Sequence, residues 1–308
     1  MGTFGFIAMA YGDERYFRQV ENMALSLKRH MPNFPLAIVT DRQIADPLFD
    51  IVIPMKPFLQ AGVVHKLDLY DYSPFQETLF IDSDCIVTRP FPAELAAIRA
   101  YEFTPVVSRH LYRGEIDPWI VDLTAALDQI NGASFPKYNG GVYFFKKCKF
   151  AQQIFERAKA LCDETTLLGI KDFDKGGPND ETLIGLTLAE LHVPQLYDDR
   201  GALMRTPVGI IGKLHVDALG GGCSFNKGGD LVSPAICHFP VEWLLSPEYK
   251  IAEYSLRNGR HPPTIWKLAI TAQHHFGRFQ QRLRGKLYRI FSQFRPSILA
   301  ASSQRITL

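Results

Sequence analysis

No stretch of the 308-residue sequence approaches the roughly 20 consecutive apolar residues of a membrane-spanning helix. Met1 to Tyr11 lacks the basic start of a secretory signal and runs directly into Gly12-Asp13-Glu14-Arg15. Cysteine is scarce: Cys85, Cys148, Cys162, Cys223 and Cys237 are odd in number and include no Cys-x-x-Cys pair, which argues against a disulfide framework and for a reducing compartment. Internal repeats and low-complexity tracts are missing as well. A cytoplasmic protein is therefore expected. With 46% hydrophobic and 21% charged residues it can bury a full core, as one large domain or two modest ones.

Acid is missing from the C-terminal end. Past Glu253 there is no Asp or Glu, whereas ten of the 34 Lys and Arg residues lie beyond residue 256. Net charge is thus −8 over residues 1–256 and +10 over 257–308, an acidic body followed by a basic tail, and the chain is divided there into two regions. Pro262-Pro263 marks the start of the tail. At about 100° per residue, Phe279, Leu283, Leu287, Ile290, Phe291 and Phe294 fall within roughly 60° of Phe276 on a helical wheel. Arg278, Arg282, Lys286 and Arg289 lie on the adjoining and opposite face. Such a helix either docks on the acidic body or lies on an anionic membrane. The second is expected for residues 264–295, which would hold the protein on the cytoplasmic face of a membrane. No nucleic acid partner is expected.

Residues 5–10 form an apolar run that stops at Tyr11-Gly12-Asp13, after which Tyr16, Phe17, Val20, Met23, Ala24 and Leu27 share one helical face. Further strands are expected over 35–40, 50–53, 78–81, 105–108 and 141–145, the first two of these continuous rather than alternating, as in a sheet covered on both faces. Helical patterns separate them at 117–130, 147–162 and 180–191. The expected class is α/β, with a mainly parallel central sheet and helices on both faces. Beyond residue 200 the pattern fades. Gly220-Gly221-Gly222 and Gly228-Gly229 bracket what reads as a mobile loop, before 234–238 resumes a strand-like run.

The most informative stretch is Glu77-Thr78-Leu79-Phe80-Ile81-Asp82-Ser83-Asp84-Cys85-Ile86-Val87. Two carboxylates, one residue apart, interrupt an apolar strand, where burial is costly unless they are paired or bind a cation. The carboxyl end of a strand in an open α/β sheet is where ligands bind. Oxygen ligands there suit Mg2+ or Mn2+ bridging to substrate phosphates. A strand-ending turn is the other reading of the same tripeptide.

From here the sequence resembles the metal-dependent, nucleotide-sugar glycosyltransferases of the GT-A fold, most of all the retaining family 8, over about residues 3–245. The resemblance rests on short motifs in a fixed order. They are Ala8-Met9-Ala10-Tyr11-Gly12-Asp13 at the end of the first strand, Lys66 before the metal strand, Phe80-Ile81-Asp82-Ser83-Asp84-Cys85-Ile86-Val87, Tyr138-Asn139-Gly140-Gly141-Val142, Asn179-Asp180-Glu181-Thr182-Leu183, and His238. It implies a Mn2+ (or Mg2+) ion held by Asp82, Asp84 and His238, and a UDP-sugar donor contacted by Ala8, Tyr11, Asp13, Lys66, Ser83, Asn139, Gly140 and Gly141. It further implies catalytic or sugar-positioning work for Asp180 and Glu181, a glycan or glycolipid acceptor, and transfer with retention.

Several of these residues have a second reading. Tyr11 is placed to stack on a base, and Asp13 either accepts from its ring N–H or caps the next helix. Asn139 with Gly140 and Gly141 either admits a sugar against bare backbone or forms a plain turn. Asp180 and Glu181 either stabilise oxocarbenium-like charge or complement a helix dipole. His238 is a metal ligand or a core histidine, and His215 is its rival. The sequence also departs from the family: Phe239-Pro240-Val241-Glu242-Trp243 follows His238 where a Gly and then Lys-Pro-Trp are usual, so Lys213 or Lys227 is expected to steady the leaving diphosphate. Asp180 stands where many members have Gln. The competing functions are a nucleotidyltransferase of related fold, for which Tyr11-Gly12-Asp13-Glu14-Arg15 is a poor phosphate loop, and a non-catalytic sugar-nucleotide-binding module at a membrane.

Overall fold

The computed structural model describes residues 4–56, 63–173, 176–276 and 280. Its first strand, β1 (Phe4–Ala10), is buried at every position, as a strand covered by helices on both faces must be. Asp13 then caps α1 (Glu14–His30), its carboxylate accepting from the backbone N–H of Arg15 at 2.9 Å. The following strands are β2 (Leu36–Thr40), β3 (Ile51–Pro54), β4 (Glu77–Ile81), β5 (Cys85–Val87), β6 (Phe103–Leu111) and β7 (Phe135–Lys146). All but β5 join the central sheet, in the order β3-β2-β1-β4-β7-β6. β3, β2, β1 and β4 run parallel; β7 is antiparallel to both of its neighbours. The expectation of a mainly parallel sheet holds.

The remaining helices are α2 (Leu69–Tyr72), α3 (Pro92–Ile98), α4 (Leu123–Gln129), α5 (Lys149–Ala160), α6 (Asp180–Glu190) and α7 (Pro247–Asn258). Alternation along the strands splits the core into two layers. Ile7, Val39, Phe80, Tyr143 and Phe145 pack under α5 and α6, whereas Phe6, Ile38, Leu79, Ile81 and Phe144 pack under α1 and α3. Each fully buried large side chain contributes about 1.5–3 kcal/mol.

Beyond residue 200 lie β8 (Met204–Arg205), β9 (Ile211–Asp217), β10 (Gly222–Lys227), β11 (Asp230–Val232) and β12 (Ile236–His238). β12 sits between β5 and β8, and β11-β10-β9 forms an antiparallel meander. The expected mobile loop at 220–229 is thus corrected to a strand. Its glycines serve the turns at either end, with positive φ at Gly221, Gly228 and Gly229. Between them Cys223 and Phe225 alternate inward, a period-two signal that the flanking glycines obscure.

The expected helix over 117–130 shortens to α4, because Asp117, fully buried, anchors the preceding segment through Lys137 Nζ at 2.7 Å. α7 crosses the division placed at residue 256 and stops at Gly259, whose φ is +64°. Arg257 in its last turn bonds to Asn22 and Glu21 of α1. Residues 264–276 are helical. The apolar and basic faces expected beyond Phe276 lie outside the described residues. Among the described residues no helix is long and apolar enough to cross a membrane.

Candidate functional site

The chain fills the sheet from β1 outward to β3 and then returns to the other side of β1 with β4. That reversal opens a crevice at the carboxyl ends of β1 and β4, the usual ligand position in an open α/β sheet. Tyr11 follows β1 and Asp82 follows β4, so both motif ends meet there. The backbone N–H of Asp82 donates to Gly141 O at 2.9 Å, that of Ser83 to Asp82 Oδ1 at 2.8 Å, and that of Cys85 to Asp82 O at 3.1 Å. These bonds turn the chain so that Asp82 and Asp84 project from a fixed loop.

Asp82 faces Lys66. The ammonium, carried on the 3₁₀ turn Val63–Asp68 with its side chain 14% exposed, donates to Asp82 Oδ2 at 2.6 Å and lies 3.8 Å from Asp180 Oδ2. Burial alone would push Lys66 down, but the carboxylates of Asp180 and Asp82 reverse this and hold it above its usual value. Burial likewise opposes ionisation of Asp82, and Lys66 outweighs it, holding the carboxyl below the usual range. Asp180 accepts from Tyr143 Oη at 2.5 Å and is pushed up by burial. It is not the helix cap: Asn179 accepts from Thr182 N at 2.6 Å and does that work. Glu181 accepts from Gly140 N at 2.7 Å, and it too is pushed up by burial and then by Asp180.

Asp84 faces His238. An oxygen of Asp84, the thiol of Cys85 and a ring nitrogen of His238 all lie within 4.8 Å of one another. Asp84 Oδ1 lies 2.8 Å from His238 Nε2, an ion-pair contact, and has no other partner among the described residues; burial alone would push the imidazole down, but Asp84 reverses this and holds it above its usual value. A buried carboxylate oxygen beside an imidazole nitrogen is an ion pair that can also serve as two ligands of one ion. The ring's Nδ1 meets Asn139 Oδ1, a partner that orients it. Gly141 leaves room for the ring: a Cβ there would lie 2.8 Å from Nδ1. Cys85 is fully buried against Gly141 O at 3.7 Å, and burial raises its thiol well above the usual range, so it packs as a neutral group. The three residues thus offer a carboxylate oxygen, an imidazole nitrogen and a thiol that an ion would have to deprotonate.

Of the other residues singled out, Tyr11 stands edge-on to His65, and burial pushes its hydroxyl up to about 12. Ser83 is buried in the loop between the two aspartates, and Ala8 is packed in the core beneath α1. Asp13 is taken up in capping α1. His215 and Lys213 lie exposed on β9, in the meander. Lys227 ends β10 and donates to Thr206 O at 2.7 Å rather than closing over the crevice. Tyr143 and Cys85 were not singled out from the sequence. Tyr143 could have been, since it shares a strand face with Gly141 two residues earlier.

No protein-family model matches the sequence, and no curated protein matches it. Among solved structures, the galactosyltransferase LgtC in complex with donor and acceptor sugar analogs superposes with a TM-score of 0.52 at 12% identity, covering 85% of this chain and 99% of LgtC. An active-site mutant of LgtC gives 0.51 at 13% identity with the same coverage. The fold is that of the GT-A glycosyltransferases. The glycosyltransferase GlyE of Streptococcus pneumoniae TIGR4 gives a TM-score of 0.41 at 16% identity, covering 64% of this chain, which spans 45% of GlyE. In GT-A terms, the crevice at the carboxyl ends of β1 and β4 gathers Lys66, Asp82, Asp84, Asn139, Gly140, Gly141, Asp180, Glu181 and His238 from five separate parts of the chain.

Proposed function

We propose that the protein is a metal-dependent glycosyltransferase that moves a sugar from a UDP-sugar donor to an acceptor hydroxyl, with retention of configuration. The observation that carries this reading is the buried Asp84 Oδ1, whose one partner among the described residues is His238 Nε2 at 2.8 Å, in a GT-A crevice. Asp82, Asp84 and His238 would hold Mn2+ (or Mg2+), which supplies charge neutralisation to a departing diphosphate. Lys66 adds a buried cation on the same side, and Tyr11 at the end of β1 offers a ring to the base. Gly140 leaves room for Tyr143, Asp180 and Glu181, and Gly141 for His238, which lets these side chains close on one point beside the proposed sugar. Asp180, held by Tyr143 and Lys66, is the carboxylate placed to stabilise positive charge as the glycosidic bond breaks. The acceptor is a glycan or glycolipid. Contact with an anionic membrane through residues 264–295 is supported by Ile265, Leu268 and Phe276, exposed on a helix that also carries Lys267 and no acid.

The test is release of nucleoside diphosphate from a panel of nucleotide sugars, with Mn2+ and with EDTA. Turnover is expected with a UDP-sugar and Mn2+ (or Mg2+), and none in EDTA. Asp180→Asn should lower kcat far more than it weakens donor binding. Undiminished turnover in EDTA, or a kcat unchanged in Asp180→Asn, rejects the assignment concerned.

A further inference from the structure

Arg205 and Lys227 stand apart from the carboxylate cluster. β8 places Arg205 opposite Cys237, the residue before His238, in parallel register. Residues opposite one another in a ladder share a face and successive residues alternate. Arg205 therefore points away from His238, toward the β9-β10-β11 meander. There Lys227 Nζ donates to Thr206 O at 2.7 Å, next along the chain from Arg205. The Nε of Arg205 is buried and has no hydrogen-bond partner. Among the described residues no carboxylate pairs with either side chain. Gly201, at φ +87°, makes space for this arrangement, since a Cβ there would lie 2.4 Å from Arg205 Nε.

Two half-buried cations without a counter-charge oppose folding through lost hydration and mutual repulsion. Burial indeed pushes Lys227 down to about 8, and Arg205 adds to the shift. An oxyanion removes both costs. A planar guanidinium and an ammonium on the same face supply charge-assisted donors of the kind that phosphate oxygens accept.

We propose that Arg205 and Lys227 form a phosphate-binding site on the face of the β5-β12-β8 sheet opposite His238. This position separates the anion from any diphosphate beside Asp84. It fits either a phosphate monoester carried by the acceptor or free phosphate. Only the link to an acceptor rests on the transferase reading; phosphate binding itself does not.

Calorimetric titration of the full chain in EDTA, with inorganic phosphate and with glycerol 3-phosphate, reads the site without donor, metal or turnover. Saturable binding is expected, weakened roughly 10- to 100-fold in Arg205→Gln and in Lys227→Gln. In phosphate-free buffer both variants should unfold at or above the wild-type temperature, as removal of an unpaired cation requires. Tighter binding of glycerol 3-phosphate supports a phosphorylated acceptor; equal or weaker binding supports free phosphate. Should Arg205→Gln fail to fold, Lys227→Gln alone carries the comparison. No saturable binding by the wild type, or unchanged binding in a folded variant, overturns the proposal. Lost phosphate binding with donor turnover intact counts against this site and not against the transferase.

Discussion

Asp82→Asn and Asp84→Asn should affect the metal-free protein differently, although the two residues would serve one ion. Asp82 Oδ2 takes a 2.6 Å hydrogen bond from Lys66, whose other carboxylate, Asp180, is 3.8 Å away. Removing one partner of a buried ion pair costs about 3–5 kcal/mol when the remaining charge is left alone. Asp180 remains here and an Asn oxygen can still accept, so a loss of about 2–3 kcal/mol is expected. At roughly 2 °C per kcal/mol for a large domain, Tm should fall by about 4–6 °C. Asp84 Oδ1 has only its 2.8 Å contact with His238 Nε2 to lose, and an Asn oxygen can still accept there, so Asp84→Asn should cost about 1 kcal/mol and lower Tm by about 2 °C. The proposed metal then reverses the picture. Mn2+ at about 100 times its Kd adds about 2.7 kcal/mol to the wild type, and both variants should lose most of that gain. Scanning calorimetry in EDTA and in Mn2+ measures each quantity. Equal falls in EDTA would refute the Lys66 pairing argument, and a full Mn2+ shift in Asp84→Asn would refute the metal assignment.

Gly141→Ala sets a Cβ 2.8 Å from His238 Nδ1, tilting the ring away from Asp84. Mn2+ affinity should drop about tenfold or more with a stability loss of about 1–3 kcal/mol, and wild-type affinity by titration would count against the geometry. Glu253 gives a pH prediction. Burial alone would raise its pKa, but hydrogen bonds from Arg18, Lys250 and Asn22 hold it below the usual range. A depressed carboxyl stabilises the fold above its unfolded value, about 4.3, and that contribution disappears as pH falls through the lower folded value. Glu253→Gln should be about 1–2 kcal/mol less stable at pH 7 and should lose less on acidification from pH 5 than the wild type. Parallel stability profiles for the two would exclude this role.

Much of the sheet was legible because its inner strands are buried on both faces and carry unbroken apolar runs, as in β1 and β4; β3, read the same way, is instead a half-exposed edge strand with alternating burial. The direction of β7 was not legible. β7 reads as an apolar strand like the others, and nothing in such a run says that it lies antiparallel beside β4. The meander was missed for a different reason: β10 is bracketed by glycines that serve its turns, and those residues in a sequence are indistinguishable from loop glycines. At the site, Asp82 and Asp84 stood out because charge breaks an apolar frame. The division of labour between them did not, since it depends on Lys66 reaching one and His238 the other. The cap of α6 shows the same limit. Asn179, Asp180 and Glu181 are all good first-turn residues, and only the fold shows that Asn179 caps while Asp180 turns to Tyr143.

The antiparallel strand explains why residues so distant in sequence converge. β4 has parallel β1 on one side and antiparallel β7 on the other. Its carboxyl end therefore meets the interior of β7: Ile81 pairs with Val142 and Asp82 N donates to Gly141 O. A parallel neighbour would have ended beside β4 and offered only a loop. β7 instead continues past the sheet, bringing Asn139 and Gly140 over the two aspartates on a hydrogen-bonded strand. α6 packs on β7, so Tyr143 fixes Asp180 and Gly140 fixes Glu181. β5, β12 and β8 then close the far side by carrying His238 onto Asp84. A crevice that would be open on one side in an all-parallel sheet becomes walled by strand backbone, which is the kind of support a site needs to hold side chains to a fraction of an ångström.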